Sequence, residues 1–167
     1  MSWAPVRLRP VTLDDAAFLH RLANEPVLME ILGEEPSSLA TWQGAIAAWL
    51  EDPDEQDFIV VSDRPRGWIG INGLASDDRV AWIKMLVLEP AAWGRGYASA
   101  ALRDRLGWLA AQGYRRVRLW TDAANLRAQA CYLRNGFAVE TDVAPRAGGG
   151  RLSQRLRMGR PLGTGAP

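Results

Sequence analysis

The residues best suited to chemistry lie in "WGRGYASAAL", Trp93 to Leu102. Gly94 and Gly96 stand one residue apart, and the chain then runs directly into alanines and leucine. Glycine lets backbone N–H groups approach a ligand with no Cβ in the way. A helix N-terminus leaves its first N–H groups unpaired and carries partial positive charge. Together they make an anion site, with donors from Gly94, Arg95, Gly96, Tyr97, Ala98 and Ser99 and a full charge from Arg95. The competing reading is a turn built only for packing.

Two other phosphate motifs do not fit. A dinucleotide-binding fingerprint wants a third glycine three residues after the second, where this chain has Ser99. A nucleoside-triphosphate loop wants Gly-Lys-Ser/Thr, and the single lysine, Lys84, lies inside a strand-like run. The single cysteine, Cys131, has no Cys/His/Asn pattern around it and reads as a small buried hydrophobe. The single histidine, His20, borders the Phe18/Leu19/Leu22 stripe and reads as a boundary residue. No metal-binding constellation is present in the sequence, and no metal is expected.

These residues need elements to hold them. "VRLRP" alternates as a strand that ends at Pro10. "TLDDAAFLHRLANEP" reads as a helix capped by Thr12 or Asp14 and stopped at Asn24 and Pro26. "SSLATWQGAIAAWLEDP" reads as a second helix, capped by Ser37 or Ser38. "DFIVVSD", "WIGINGLA" and "VAWIKMLVLEP" form an antiparallel meander from Phe58 to Leu88, with turns at "RPRG" and "SDDR". The apolar run Ile83 to Leu88 reads as a central strand covered on both faces. A helix follows the glycine turn and closes at Gly113. "RRVRLWTD" is a strand, and "NLRAQACYLRNG" is a helix from Asn125 to Gly136. "FAVETDV" and "RLSQRLRM" are strands flanking the turn "APRAGGG". The order β-α-α-β-β-β-α-β-α-β-β defines a mixed α/β fold, with about seven strands and four helices. Residues 1–160 form one domain, and residues 161–167 form a frayed tail.

At 167 residues the chain suits one domain with a core of its own. One cysteine excludes an internal disulfide and fits a reducing compartment. "MSWAPVRLRP" lacks the apolar stretch of a signal peptide, and no run approaches the roughly 18 apolar residues of a membrane span. The expectation is a cytoplasmic protein off the membrane. A net charge of +1 argues against a general nucleic-acid binder. The charge is unevenly spread. Residues 14–57 carry eleven acidic side chains and one arginine, and residues 84–160 carry fourteen basic and five acidic ones. Such asymmetry fits surfaces that meet ligands of opposite charge, or simply solvated faces of biased sign.

"LVLEPAAWGRGYASAAL" followed by "NLRAQACYLRNGF" resembles the GNAT superfamily of acyl-CoA-dependent N-acetyltransferases. The family pattern is a strand, Gln/Arg-x-x-Gly-x-Gly/Ala, a helix, then Asn-x-x-Ala, a Tyr and Gly-Phe. This sequence supplies Gly96, Ala98, Asn125, Ala128, Tyr132, Gly136 and Phe137. The departure is Trp93, where the family usually has Gln or Arg. "WGRGYA" is similar to the branch of ribosomal-protein N-terminal acetyltransferases.

The resemblance implies that the acetyl-CoA pyrophosphate rests on the backbone from Gly94 to Ser99. Its pantetheine arm would pair with the strand edge of Met85, Leu86, Val87 and Leu88. The N–H of Leu86 or a neighbour would face the thioester oxygen. Asn125 would bond the pantetheine, cap its helix, or both. Tyr132 is the implied acid for the leaving thiolate, since a phenol with a pKa near 10 can protonate a basic sulfur. Some family members use a glutamate on the central strand as base, and "VAWIKML" offers none. Glu30, Glu34 and Glu35, between the first two helices, are the weaker acceptor-side candidates. Trp82 and Trp42 could line the acceptor pocket or serve the core. The acceptor is a primary amine, and the acidic N-terminal half favours a cationic one: a peptide N-terminus, a polyamine or an aminoglycoside. A homodimer is possible. The alternatives are a non-catalytic acyl-CoA-binding domain and an acyl group longer than acetyl.

Overall fold

In the computed structural model, which describes residues 5–145 and 154–163, the elements run as follows. They are β1 (Arg7–Pro10), α1 (Ala16–Ala23), α2 (Pro26–Leu32), α3 (Leu39–Glu51), β2 (Gln56–Val61), β3 (Pro65–Asn72) and β4 (Val80–Leu88). After these come α4 (Tyr97–Ala111), β5 (Arg116–Asp122), α5 (Leu126–Arg134), β6 (Ala138–Pro145) and β7 (Gln154–Pro161). The strands make one sheet in the order β1-β2-β3-β4-β5-β7-β6. All neighbours are antiparallel except β4 and β5, which are parallel. The mixed α/β class, the seven strands and the meander through β2, β3 and β4 agree with the sequence reading.

The helices differ from that reading. The described residues hold five α-helices, not four, because Pro26 opens α2 rather than merely ending α1. Proline fits the first turn of a helix, where its missing N–H would have no partner in any case. Gly33 closes α2 in the left-handed region at φ 66°. A 3-10 turn at Leu13–Asp15 precedes α1, whose first residue is Ala16. The cap of α3 is Ser38, whose Oγ accepts from the Thr41 N–H at 3.1 Å.

Smaller boundaries also move. "RPRG" is not a turn: Pro65 and Gly67 already pair with Val61 and Leu88. Proline is tolerated at the first residue of a strand, and the reversal sits at Ser62–Arg64. β7 ends three residues later than expected, and the first three residues of the expected strand, 151–153, lie outside the described residues. Pro161 therefore belongs to it, and the buried Leu162 donates its N–H to the Arg115 carbonyl at 2.9 Å. Ala144 and Pro145 belong to β6, while the rest of "APRAGGG" and residues 164–167 lie outside the described residues.

Each face of the sheet carries its own core. On one, Ile59, Val61 and Trp68 pack against Leu19, Leu22, Leu28 and Ile46 of α1–α3. On the other, Val60, Ile69, Ile71 and Ile83 pack against Leu102, Leu106 and Leu109 of α4 and Tyr132 of α5. Burying an aliphatic side chain of this size contributes about 1.5–3 kcal/mol, so both faces hold the sheet rigid. Among the described residues no helix is long and apolar enough to cross a membrane.

Candidate active site

The site begins with a fault in the sheet. β4 pairs with β5 only from Val80–Arg116 to Ile83–Leu119. Beyond Ile83, the edge of β4 that faces β5 has no ladder partner among the described residues. On its other edge, β4 stays paired to β3 from Leu86–Ile69 to Leu88–Gly67. Met85, Leu86, Val87 and Leu88 therefore lie where the two parallel strands part, paired on the β3 side alone. The expectation that this strand is central holds, but Lys84 to Val87 are half-buried rather than covered.

A bulge marks the same place. Gly70 pairs with Met85 and Ile71 with Ile83, so Lys84 is the extra residue. The irregularity turns Lys84 and Met85 to the same side, that of α1–α3. Lys84 Nζ lies 4.0 Å from the centroid of the Trp49 ring, and Met85 packs with the α1–α3 core. Leu86 and Leu88 turn to the side of α4 and α5.

The glycine turn follows. Glu89 fixes its approach through bidentate bonds from Arg64 at 2.8 and 2.9 Å and a further bond from Arg66. Burial alone would raise the Glu89 carboxyl, but the two guanidiniums outweigh it and hold the group below its ordinary value. Gly94 and Gly96 both lie in the left-handed region, at φ 70° and 79°. L-residues other than glycine rarely adopt it. A Cβ built on either would meet nothing within 4 Å, so the space over this backbone is open. Gly96 caps α4. The first N–H used along the helix is that of Ala100, which reaches the Gly96 carbonyl at 3.0 Å. The N–H groups of Tyr97, Ala98 and Ser99 precede it and have no intrahelical acceptor.

The side chains of Tyr97 and Ser99 are engaged elsewhere in the fold. Tyr97 is buried, with its hydroxyl 3.2 Å from Ser62 Oγ. Ser99 Oγ accepts from Asn135 Nδ2 at 3.0 Å. Arg95 is exposed.

Asn125 caps α5: its Oδ1 accepts from the Ala128 N–H at 3.1 Å. Its Nδ2 makes no hydrogen bond among the described residues. Tyr132 is buried at 8% exposure, its ring edge-on to Phe137 at 5.8 Å. Burial, reinforced by the neighbouring Cys131, pushes the phenol well above its ordinary value. The phenol keeps its proton across the physiological range, and among the described residues its hydroxyl has no hydrogen-bond partner. A proton donor committed to no other group suits a leaving thiolate.

Trp82 is half-buried and pairs with Asn72 and Arg118, one rung below the last shared rung of β4 and β5. Trp42 serves the core. Its Nε1 donates to Ser37 Oγ at 2.8 Å, and its ring meets Trp49 and Trp68 edge-on at 6.2 and 5.9 Å. Glu30 is exposed on α2, and Glu34 and Glu35 are exposed on the loop after it. His20 is half-buried, with Nε2 3.0 Å from the Ser37 carbonyl, and Asn24 holds Ser37 from both sides. Cys131 is half-buried beside Ser99 and Asn135.

Sequence reasoning missed two charge clusters. Lys84 pairs with Glu55 and, at 3.1 Å, with Asp57, whose side chain is fully buried and also accepts from Trp68 Nε1 at 2.7 Å. Burial pushes Asp57 up to about 7 against the Trp68 bond, and burial pushes Lys84 down to about 7. Gly70 makes room for the pair, since a Cβ there would lie 2.5 Å from Asp57 Oδ1. The second cluster gathers Arg116, Arg118 and Arg157 around Glu140, which lies against Gly159. A lone lysine in an apolar run and glycines inside strands were the available signals.

The sequence matches the acetyltransferase (GNAT) domain family over residues 6–138. The chain belongs to the GNAT acetyltransferase family. It is 32% identical over 97 residues to a mycothiol acetyltransferase of Beutenbergia cavernae, a match covering 58% of this chain but only 30% of that protein. Its fold is similar to that of spermidine N-acetyltransferase from Vibrio cholerae, solved in complex with CoA and spermine. There the TM-score is 0.84, with 22% identity over 94% of this chain and 95% of the other. An acetyltransferase from Thermus thermophilus gives a TM-score of 0.79 and 24% identity, over 97% of this chain and all of the other.

Proposed function

We propose that the chain forms one acyl-CoA N-acyltransferase domain, running past residue 160 to include Pro161 and Leu162, which moves an acetyl group from acetyl-CoA directly to a primary amine in a ternary complex. The observation that carries this reading is the meeting of the open Gly94–Gly96 turn with the unpaired edge of β4 beyond Ile83. The turn suits a diphosphate, and the strand edge suits the amide-rich pantetheine arm.

In this reading the pantetheine bonds the backbone of Met85–Leu88 and the Nδ2 of Asn125. The N–H of Leu86 or a neighbour faces the thioester oxygen, where negative charge develops as the amine attacks. The C–N bond forms, the C–S bond breaks, and Tyr132 gives its proton to the departing sulfur. The amine must arrive neutral, so its proton leaves by base or water. Glu30, Glu34 and Glu35 stand on the α1–α3 side, the side to which Met85 turns, and are the candidates for that path, with Trp82 at the base of the fork.

The acidic surface of the N-terminal half favours a cationic acceptor such as a peptide N-terminus, a polyamine or an aminoglycoside-like amine. The spermine in the Vibrio cholerae complex is compatible with that choice. The test is thiol release from acetyl-CoA across a panel of cationic, neutral and anionic primary amines. Turnover led by cationic amines is expected. Turnover led by neutral amines would remove the acceptor assignment. CoA binding with no turnover on any amine would remove the transfer step.

A further inference from the structure

The one departure from the family motif is Trp93, which stands where a Gln or Arg is usual, and its surroundings give it a role. The indole is half-buried and packs against both cores. Its Nε1 donates to the Leu88 carbonyl at 3.1 Å, which fixes the ring between the end of β4 and the glycine turn. Over that ring lies the guanidinium of Arg127, with its central carbon 3.8 Å from the centroid. Arg127 comes from a different element, the first turn of α5.

Arg127 is poorly placed for stability alone. The first turn of α5 has no acidic residue. A cation there opposes the partial positive charge of the helix start. Among the described residues Arg127 forms no ion pair and no hydrogen bond. Although exposed, its guanidinium is held over the indole face by cation–π attraction, beside the glycine turn. Its N–H fork faces no acceptor among the described residues.

We propose that Arg127, carried on the Trp93 ring, is a phosphate-binding residue for the acyl-CoA and restores from α5 the polar group that position 93 lacks. A planar guanidinium stacked on an indole keeps its N–H edge free, and that edge matches two phosphate oxygens at once. The phosphate is either the diphosphate over Gly94–Ser99 or the 3′-phosphate beside it. The proposal rests on the acyl-CoA reading above.

The experiment is calorimetric titration of CoA, 3′-dephospho-CoA and pantetheine into the wild-type chain, Arg127→Ala and Arg127→Lys. Thermal unfolding confirms that both variants fold. Arg127→Ala is expected to weaken CoA binding about 10- to 100-fold, the range for hydrogen bonds to charged groups. Arg127→Lys, which keeps the charge but loses the fork, recovers part of it. The KM for acetyl-CoA rises with the same factor and kcat stays put. If the loss vanishes with 3′-dephospho-CoA, the contact is to the 3′-phosphate. If it survives there and vanishes with pantetheine, the contact is to the diphosphate. A variant that binds CoA within two-fold of wild type overturns the proposal, as does a loss that persists on pantetheine. Wild-type protein that binds no CoA overturns the acyl-CoA reading and this inference together.

Discussion

Replacing Gly96 with alanine separates the two roles of the glycine turn. Gly96 holds φ 79°, and a Cβ there meets no atom within 4 Å. The cost to the free protein is therefore conformational alone, about 1–2 kcal/mol for an L-residue in the left-handed region. In a chain of 167 residues that lowers Tm by roughly 2–8 °C. The open volume that makes the substitution sterically harmless is the volume a phosphate would occupy. The new methyl group blocks close approach, and a charge-assisted hydrogen bond to a backbone N–H contributes about 1.5–3 kcal/mol. CoA affinity is expected to fall about 10- to 100-fold by titration calorimetry, well beyond the loss of stability. Gly107→Ala is the control. Gly107 lies inside α4 with open space around it, so alanine there adds about 0.5–1 kcal/mol of helix stability and leaves CoA binding alone. If Gly96→Ala binds CoA like wild type at the reduced Tm, the turn is packing and the phosphate assignment fails.

Three further perturbations test other parts of the molecule. Tyr132→Phe removes a hydroxyl that no described residue uses, so Tm is expected to stay within about 2 °C while kcat falls 10- to 1,000-fold at unchanged acetyl-CoA affinity; unchanged kcat would exclude the acid role. Lys84→Met takes from Asp57 the amine that bonds it and leaves that buried carboxylate with the Trp68 bond alone at pH 8, which is expected to cost about 1–3 kcal/mol, the range for stranding a buried polar group. Asp57 is already raised to about 7, above its unfolded value, so its favourable term is complete at low pH and is lost as pH rises through about 7. Denaturant unfolding of Lys84→Met should therefore show more stability at pH 5 than at pH 8, and a flat profile would show that Asp57 does not carry the effect. Gly159→Ala drives a methyl group into the Glu140 carboxylate and should unfold at lower denaturant than wild type, whereas an unchanged midpoint would mean that the arginine cluster moves freely aside.

The order of elements was readable because each obeys its own period. Leu102, Leu106 and Leu109 recur at helical spacing, and β2 to β4 are β-branched runs between turn residues. The glycine turn was readable because φ near 70–80° leaves few alternatives to glycine. What escaped depended on neighbours that the local sequence does not name. Pro26 has the same chemistry at a helix start as at a helix stop, and only the packing of Leu28 beneath it decides which. Lys84 in an apolar run names no partner until Gly70, on the next strand, clears a path to Asp57. Trp93 looks like a loss of polarity until Arg127, thirty-four positions later, comes to rest upon it.

The site and the charge cluster beneath it share one cause. A regular β4 would send Lys84 and Met85 to opposite faces and would continue pairing with β5 past Ile83. The bulge at Lys84 does neither. It inserts one residue against β3, which sends Lys84 across Gly70 to the carboxylates of Asp57 and Glu55. Met85 to Leu88 then continue as a strand paired on one edge only. Unpaired backbone groups at a half-buried strand are costly unless something bonds them, so the gap between β4 and β5 persists only because the rest of the sheet holds it open. Two cores clamp β4 from both faces, and the buried pair at Lys84 ties the irregular residue to β2. On this reasoning, loosening the Lys84–Asp57 pair should loosen the cleft. Lys84→Met at pH 8 is expected to bind CoA more weakly than at pH 5, in step with its stability, while Gly107→Ala shows no such pH difference. A Lys84→Met protein whose CoA affinity ignores pH as its stability changes would mean that the bulge is held by β3 alone.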